Sequence, residues 1–239
     1  MSVTALQKHT IDCILSIFET GRVPSPAAYA MCTILKDGAG ISYGKHQCTD
    51  KSGSLDLVVK KYIELGGTHA AALQAYLPYL AANKSASETP AGPWSAETQA
   101  LVALLKTAGA DPTMHRAQDE IFDAHYWQPA ARQCEAMGLQ HALSWGVIYD
   151  TCIHSGAGGV AMIRGKFPAV PPARGGDEKQ FINQYLQARE DWLKSSANEL
   201  VRRTTYRMDA FQTLVANGNW ELDLPLIIRG VAIPAPAKA

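Results

Sequence analysis

The sequence is short of the features that mark a nucleic-acid binder, a membrane protein or a disulfide scaffold. Its 22 basic and 22 acidic residues cancel to a formal net charge of zero. No basic run or basic face emerges, which excludes a protein built to grip nucleic-acid backbones. No apolar stretch reaches the roughly 20 residues of a membrane span. The five cysteines, Cys13, Cys32, Cys48, Cys134 and Cys152, are odd in number and widely spread. That pattern fits buried, reduced thiols and argues against a disulfide framework. There is no H-E-x-x-H, no C-x-x-C and no glycine-rich phosphate loop, and His46 with Cys48 lacks further ligands, so neither a metal nor an organic cofactor is expected. The opening residues also lack the basic start and apolar stretch of a signal peptide, so synthesis in the cytoplasm is expected.

What is present is a globular composition, 47% apolar and 18% charged, with length enough for one large domain or two lobes sharing a cleft. Apolar residues from Leu6 to Phe18 recur at helical spacing, predicting a helix over 4–19 stopped by Gly21. Tyr29 to Leu35 and Ile41 to Cys48 have strand composition around the Lys36-Asp37-Gly38 turn, predicting one small hairpin and no other substantial sheet. Helices are then expected from Ser54 to the Gly66-Gly67 stop, and from a Thr68 cap to about Leu77, before Pro78. Residues 83–94 read as a loop. Ser95, Asp111 and Asp177 each sit where a helix cap belongs. The Asp111-Pro112 helix runs towards Tyr126, and another covers Pro129 to Met137. Leu139 to His154 is apolar nearly all round and should be central and buried, ended by Gly156 to Gly159. A last helix is expected over about Thr205 to Ala216, followed by a short apolar segment, 226–233, and a frayed tail.

Three carboxylates stand out. Glu19 ends the first helix, where the negative helix pole and its neighbours Ile17 and Phe18 disfavour its charged form, as suits a general acid. Eighteen residues later, Asp37 opens a turn whose glycines let backbone N–H groups approach it, as suits a base kept ionised. Ser42 could hold an attacking water. Asp150 lies on the buried helix and requires a cationic partner, for which Arg189 and Arg207 are candidates. Taken singly, each has a plainer reading: a solvated glutamate in a fraying turn, Asp-Gly turn chemistry, an ordinary strand serine, a structural ion pair. His154 reads as a hydrogen-bonded core histidine.

Taken together, their order and spacing resemble the glycoside hydrolase family 46 chitosanases, a branch of the lysozyme-like superfamily. The shared marks are the glutamate ending helix one, the Asp37-Gly38-x-Gly40 turn, and Tyr149-Asp150 with His154-Ser155-Gly156. Gly175-Gly176-Asp177-Glu178, Ala188-Arg189, and Asn217-Gly218-Asn219 with Leu222 to Leu226 extend the likeness over nearly the whole chain. The resemblance implies an α+β, mainly α, lysozyme-like fold over residues 1–239, two-lobed, with one small β-hairpin or sheet beside the catalytic cleft. It implies an inverting endo-glycosidase with Glu19 as proton donor and Asp37 as base, their carboxyl groups about 6.5–9.5 Å apart to admit water. Ser42 falls where the family has a water-positioning threonine. Asp150, Arg189 and Arg207 match a charged network behind the acid, and Tyr43, Lys45, His46 and Ser54 become the substrate contacts.

Two departures bear on the substrate. Ala39 replaces an arginine of the family's turn, and Ser54 replaces a substrate-contacting aspartate. Chitosan is a polycation that favours a carboxylate-lined cleft. The lost acid, the nearby Lys45 and His46 and the missing secretion signal shift the expectation to peptidoglycan, another β-1,4-linked amino-sugar chain. The leading expectation is therefore a muramidase of endolysin type, reaching the cell wall after lysis or delivery. The alternatives are a chitosanase using the same residues and a non-catalytic glycan-binding protein. The expected partner is the polysaccharide alone, without nucleic acid or membrane, and the expected state is a monomer.

Overall fold

The computed structural model describes residues 3–34, 40–83 and 95–236. In chain order the elements are α1 (Ala5–Thr20), β1 (Cys32–Ile34), β2 (Ile41–Tyr43), β3 (Cys48–Thr49), α2 (Ser54–Glu64), α3 (Ala70–Gln74), α4 (Leu77–Asn83), α5 (Ala96–Ala108) and α6 (Pro112–Phe122). There follow α7 (Gln128–Met137), α8 (Ala142–Ser155), α9 (Ala157–Arg164), α10 (Glu178–Lys194), α11 (Glu199–Arg202), α12 (Tyr206–Ala216), β4 (Leu226–Ile228) and β5 (Val231–Ile233). The fold is mainly helical with small antiparallel sheets, as the sequence implied. The chain forms two compact units, one of Met1–Val23 with His125–Ala239 and one of Pro24–Ala124.

In the unit of Pro24–Ala124, β1, β2 and β3 make one antiparallel sheet with β2 central; Ser42 sits opposite both Thr33 and Thr49. Ile41 and Tyr43 join Leu55, Val58, Val59, Tyr62, Leu101, Leu105 and Met114 in a core sealed from solvent. Burying each such side chain contributes about 1.5–3 kcal/mol, which is why so short a sheet persists. The strand expected to begin at Tyr29 is shorter, because Pro26 opens a 3-10 turn over Pro26–Ala30. Thr68 does not cap a helix; its N–H donates to Asp111 Oδ2 at 2.9 Å. Pro78 does not mark an end either. It is the second residue of α4, where its missing N–H has no intrahelical partner to lose. Most of the expected loop over 83–94 lies outside the described residues.

In the other unit α8 is the central helix, and every residue from Ala142 to Cys152 is buried. Its start is held by a neighbour: the Glu178 carboxylate, at the head of α10, accepts from Gln140 N and His141 N at 2.9–3.0 Å. That arrangement satisfies N–H groups near a helix start with a negative charge. The polar caps read from the sequence are present, with Ser95, Asp111 and Asp177 accepting from Thr98, Thr113 and Gln180 N. Three details differ from expectation. Gly156 ends α8, but α9 starts at once and buries Val160 and Ile163. A π-helical turn, Asp123–Trp127, links α6 to α7. The apolar segment after α12 forms a two-stranded sheet, β4 with β5.

All five cysteines are buried thiols. No helix among the described residues is long and apolar enough to cross a membrane.

Candidate active site

Glu19 is the penultimate residue of α1, placed by the packing beneath it. Ile11, Ile14, Ile17 and Phe18 are buried along the helix. Gly21 closes it in the left-handed region at φ 75, donating its N–H to Ile17 O at 2.9 Å, a conformation glycine adopts without strain. Phe18 meets Tyr206 and Phe211 edge-on at 6.0 and 5.5 Å. Tyr206 donates its hydroxyl to Phe18 O at 2.7 Å, fixing the last turn from the α12 side. The Glu19 side chain itself is 46% exposed.

Behind Glu19 runs a chain of charge into the core. Arg207 donates from one terminal nitrogen to Glu19 Oε1 at 2.6 Å and from the other to Asp150 Oδ1 at 2.6 Å. Arg189 pairs with Asp150 Oδ2 at 2.7 Å. Asp150 and Arg189 are fully buried, and the Arg207 side chain is 4% exposed. Burial pushes the Asp150 carboxyl up, but Arg189 and Arg207 more than reverse it and hold it below its ordinary value. Burial likewise works against the Arg207 charge, and Asp150 and Glu19 overcome it. The resemblance set Arg207 in a charged network behind the acid; in the fold its guanidinium contacts the Glu19 carboxylate directly.

His154 lies half-buried near this network, its Nδ1 3.1 Å from Ser155 Oγ. Burial first, then the two arginines, lower its pKa, so it is neutral at pH 7.

In the unit of Pro24–Ala124 the picture is less complete, because Asp37 and Ala39 lie outside the described residues. The segment is described again from Gly40, where φ is +75 and an added Cβ would fall 2.1 Å from Asp50 Oδ1. That oxygen accepts from Ile41 N and Lys51 N, both at 2.9 Å. Asp50 is a buried carboxylate the sequence reasoning missed; burial raises its pKa. Ser42 is 6% exposed at the centre of the sheet.

The expected substrate contacts are differently employed. Tyr43 is not at a surface: it is fully buried in the core, and burial pushes its phenol up. Lys45 Nζ and His46 Nε2 lie 3.0 and 2.9 Å from Asp119 Oδ1, and Tyr29 donates its hydroxyl to Asp119 Oδ2 at 2.6 Å. Burial works against the Asp119 charge, yet His46, Tyr29 and Lys45 together hold its carboxyl well below the usual range. Asp119 was not singled out in the sequence. Ser54 accepts from Thr49 N at 2.9 Å and shares a 2.8 Å contact with Ser52 Oγ, so its hydroxyl ties down the loop before α2. Among the described residues no group of three or more His, Cys, Asp or Glu could hold a metal ion.

A family model described as Glycosyl hydrolase family 46 matches residues 13–226. The chain is 29% identical over 236 residues to a chitosanase of Bacillus subtilis strain 168, covering 93% of this chain and 82% of that one. A native chitosanase of Bacillus subtilis MY002 has the same fold, with a TM-score of 0.77 and 26% identity over 95% of this chain and 96% of that one. A family 46 chitosanase of Gynuella sunshinyii, solved in complex with chitotetraose, gives a TM-score of 0.78 at 25% identity over 99% and 100% of the two chains.

Proposed function

The chain belongs to glycosyl hydrolase family 46 and is a glycoside hydrolase; from that premise we propose that it cleaves chitosan by an inverting, endo-acting mechanism. The observation that carries the assignment of roles is Arg207 bridging Glu19 to the buried Asp150. Glu19 is the general acid that protonates the leaving glycosidic oxygen. As it gives up its proton, the charge growing on its carboxylate meets the Arg207 guanidinium, already in place at 2.6 Å. Such preorganised stabilisation needs no rearrangement during the reaction. Asp150 and Arg189 are positioning residues, holding Arg207 where it can serve Glu19. Asp37 is the base that activates water, and Ser42 orients that water; both roles are carried over from the family.

Chitosan replaces the peptidoglycan favoured by the sequence alone. The similar proteins are chitosanases, one of them solved with chitotetraose. The structure also weakens the electrostatic objection. Lys45 and His46 share the carboxylate of an ionised Asp119, which offsets one positive charge and lessens the repulsion of a polycationic chain. The hydroxyl of Ser54 is occupied locally, so it serves loop geometry rather than a sugar.

The test is to incubate wild type and Glu19→Gln with chitosan and, separately, with purified sacculi, and to identify new reducing ends. Release from chitosan is expected, falling at least about a hundred-fold in the variant, as loss of a general acid requires. Release from sacculi alone would overturn the substrate. Equal turnover by the two proteins would overturn the role of Glu19.

A further inference from the structure

Round α12 from Arg207 lies an open groove of about 850 Å³ that the catalytic assignment does not use. Tyr206, Asp209, Thr213 and Asn217 line it along one stripe of the helix, and Asp223 and Arg229 line it from beyond the helix end. Helical spacing sets that stripe apart from Arg207, Met208 and Phe211, which are buried on the inner side.

The groove carries negative charge in excess. Asp209 and Asp223 are exposed, and neither forms an ion pair among the described residues. Lys194, whose ammonium feels the Asp209 charge, is itself paired with Glu190. The cation of the groove, Arg229, lies with its guanidinium centre 3.7 Å over the Tyr206 ring, a placement that holds it against the aromatic face. The loop bearing Asp223 is set in advance: Asp223 N donates to Asn219 Oδ1 at 2.7 Å, and Asn219 Nδ2 to Asp223 O at 2.9 Å. These bonds use the backbone of Asp223 and leave its carboxylate outward. Ile227, 75% exposed, adds an apolar edge.

We infer that this groove is an accessory binding site for protonated glucosamine units of the substrate chain. Carboxylates take the ammonium groups in charge-assisted hydrogen bonds. Asn217 suits sugar hydroxyls, and Ile227 offers a surface to the apolar side of a ring. The volume lies within the range of small-molecule sites. An N-acetylated chain, lacking the ammonium, leaves both carboxylates unpaired and is rejected. A second point of attachment raises the effective concentration of a long chain at Glu19, so it matters for polymer more than for short oligomers.

The inference rests on the chitosan assignment, and the experiment separates the two. Glu19→Gln, in which the chain is bound but not cut, is titrated calorimetrically with chitotetraose and with its fully N-acetylated counterpart. Backbone amide shifts of Gly218 and Asn219 are followed in parallel. Two chitotetraose sites are expected, with shifts at Gly218 and Asn219, and no response of those amides to the acetylated chain. Adding Asp209→Asn and Asp223→Asn should weaken the second site at least ten-fold; adding Asn217→Lys, which puts a cation into the groove, should do the same by an independent route. A single site insensitive to these changes, with the amides unmoved, overturns the accessory site and leaves the chitosan assignment standing. Failure of chitotetraose to bind anywhere overturns both.

Discussion

Replacing Asp150 by alanine is the sharpest perturbation the fold offers. The carboxylate is fully buried and divides its two oxygens between Arg189 and Arg207, at 2.7 and 2.6 Å. Removing it strands one guanidinium completely: Arg189 is itself fully buried and has no other ion pair among the described residues. Arg207 keeps Glu19, whose side chain is 46% exposed and therefore a weaker, partly screened partner. Breaking a buried pair from one side costs about 3–5 kcal/mol, against a total stability of roughly 5–15 kcal/mol for a typical protein. Urea denaturation at pH 7 should show a loss of at least about 3 kcal/mol. The pH dependence carries the sign. Because the folded carboxyl is held below its ordinary value, its stabilisation is fully present above about pH 4, the unfolded pKa. It is lost as pH falls through the lower folded value, so the gap between wild type and variant must close in acid. Changing Asp150 to leucine and Arg189 to methionine together removes both charges and should recover much of the loss. An alanine variant within about 1 kcal/mol of wild type at pH 7 would refute the claim that this carboxylate holds the buried network together.

Two further outcomes follow from the other unit. Asp119→Asn should destabilise by only about 1 kcal/mol, because the side chain is 40% exposed and its ion pairs are screened; the depressed Asp119 carboxyl means thermal unfolding should show the full difference at pH 7, with the difference beginning to shrink below about pH 4 and lost only as pH falls through the lower folded value. An undiminished difference at pH 3 would refute the assignment. Gly40→Ala should cost about 1–3 kcal/mol, since φ is +75 and the new Cβ would meet Asp50 Oδ1 at 2.1 Å. Thermal unfolding that leaves this variant level with wild type would show that Asp50 does not pin the strand start.

What the sequence disclosed and what it withheld divide along one physical line. Helix ends governed by the nearest few residues were legible: Gly21 behind α1, and Ser95, Asp111 and Asp177 ahead of their helices, act as their chemistry dictates. α9 was not, because Gly156, Gly158 and Gly159 read as breakers; burying Val160 and Ile163 overrides that local preference. The site follows the same rule. Asp150 was conspicuous as the one carboxylate on an apolar helix. Its joining to Glu19 through Arg207 depends on residues 188 positions apart in the chain. Asp119 is seventy or more positions from Lys45 and His46 and sits on α6 beside other acids, with no local cue to its task.

The same distinction explains why the substrate was misjudged. Counting charges near a turn treats Lys45 and His46 as free cations and Ser54 as a lost acid, which together argue against a polycation. In the folded chain the cations belong to Asp119 and the hydroxyl belongs to Thr49. An interaction with a ligand depends on what remains after internal partners are satisfied, since a charge already paired contributes little to a passing chain. By that measure Asp119 offsets one positive charge of Lys45 and His46, while Asp209 and Asp223 remain exposed without ion-pair partners among the described residues. A polycationic substrate is therefore compatible with a chain whose formal net charge is zero.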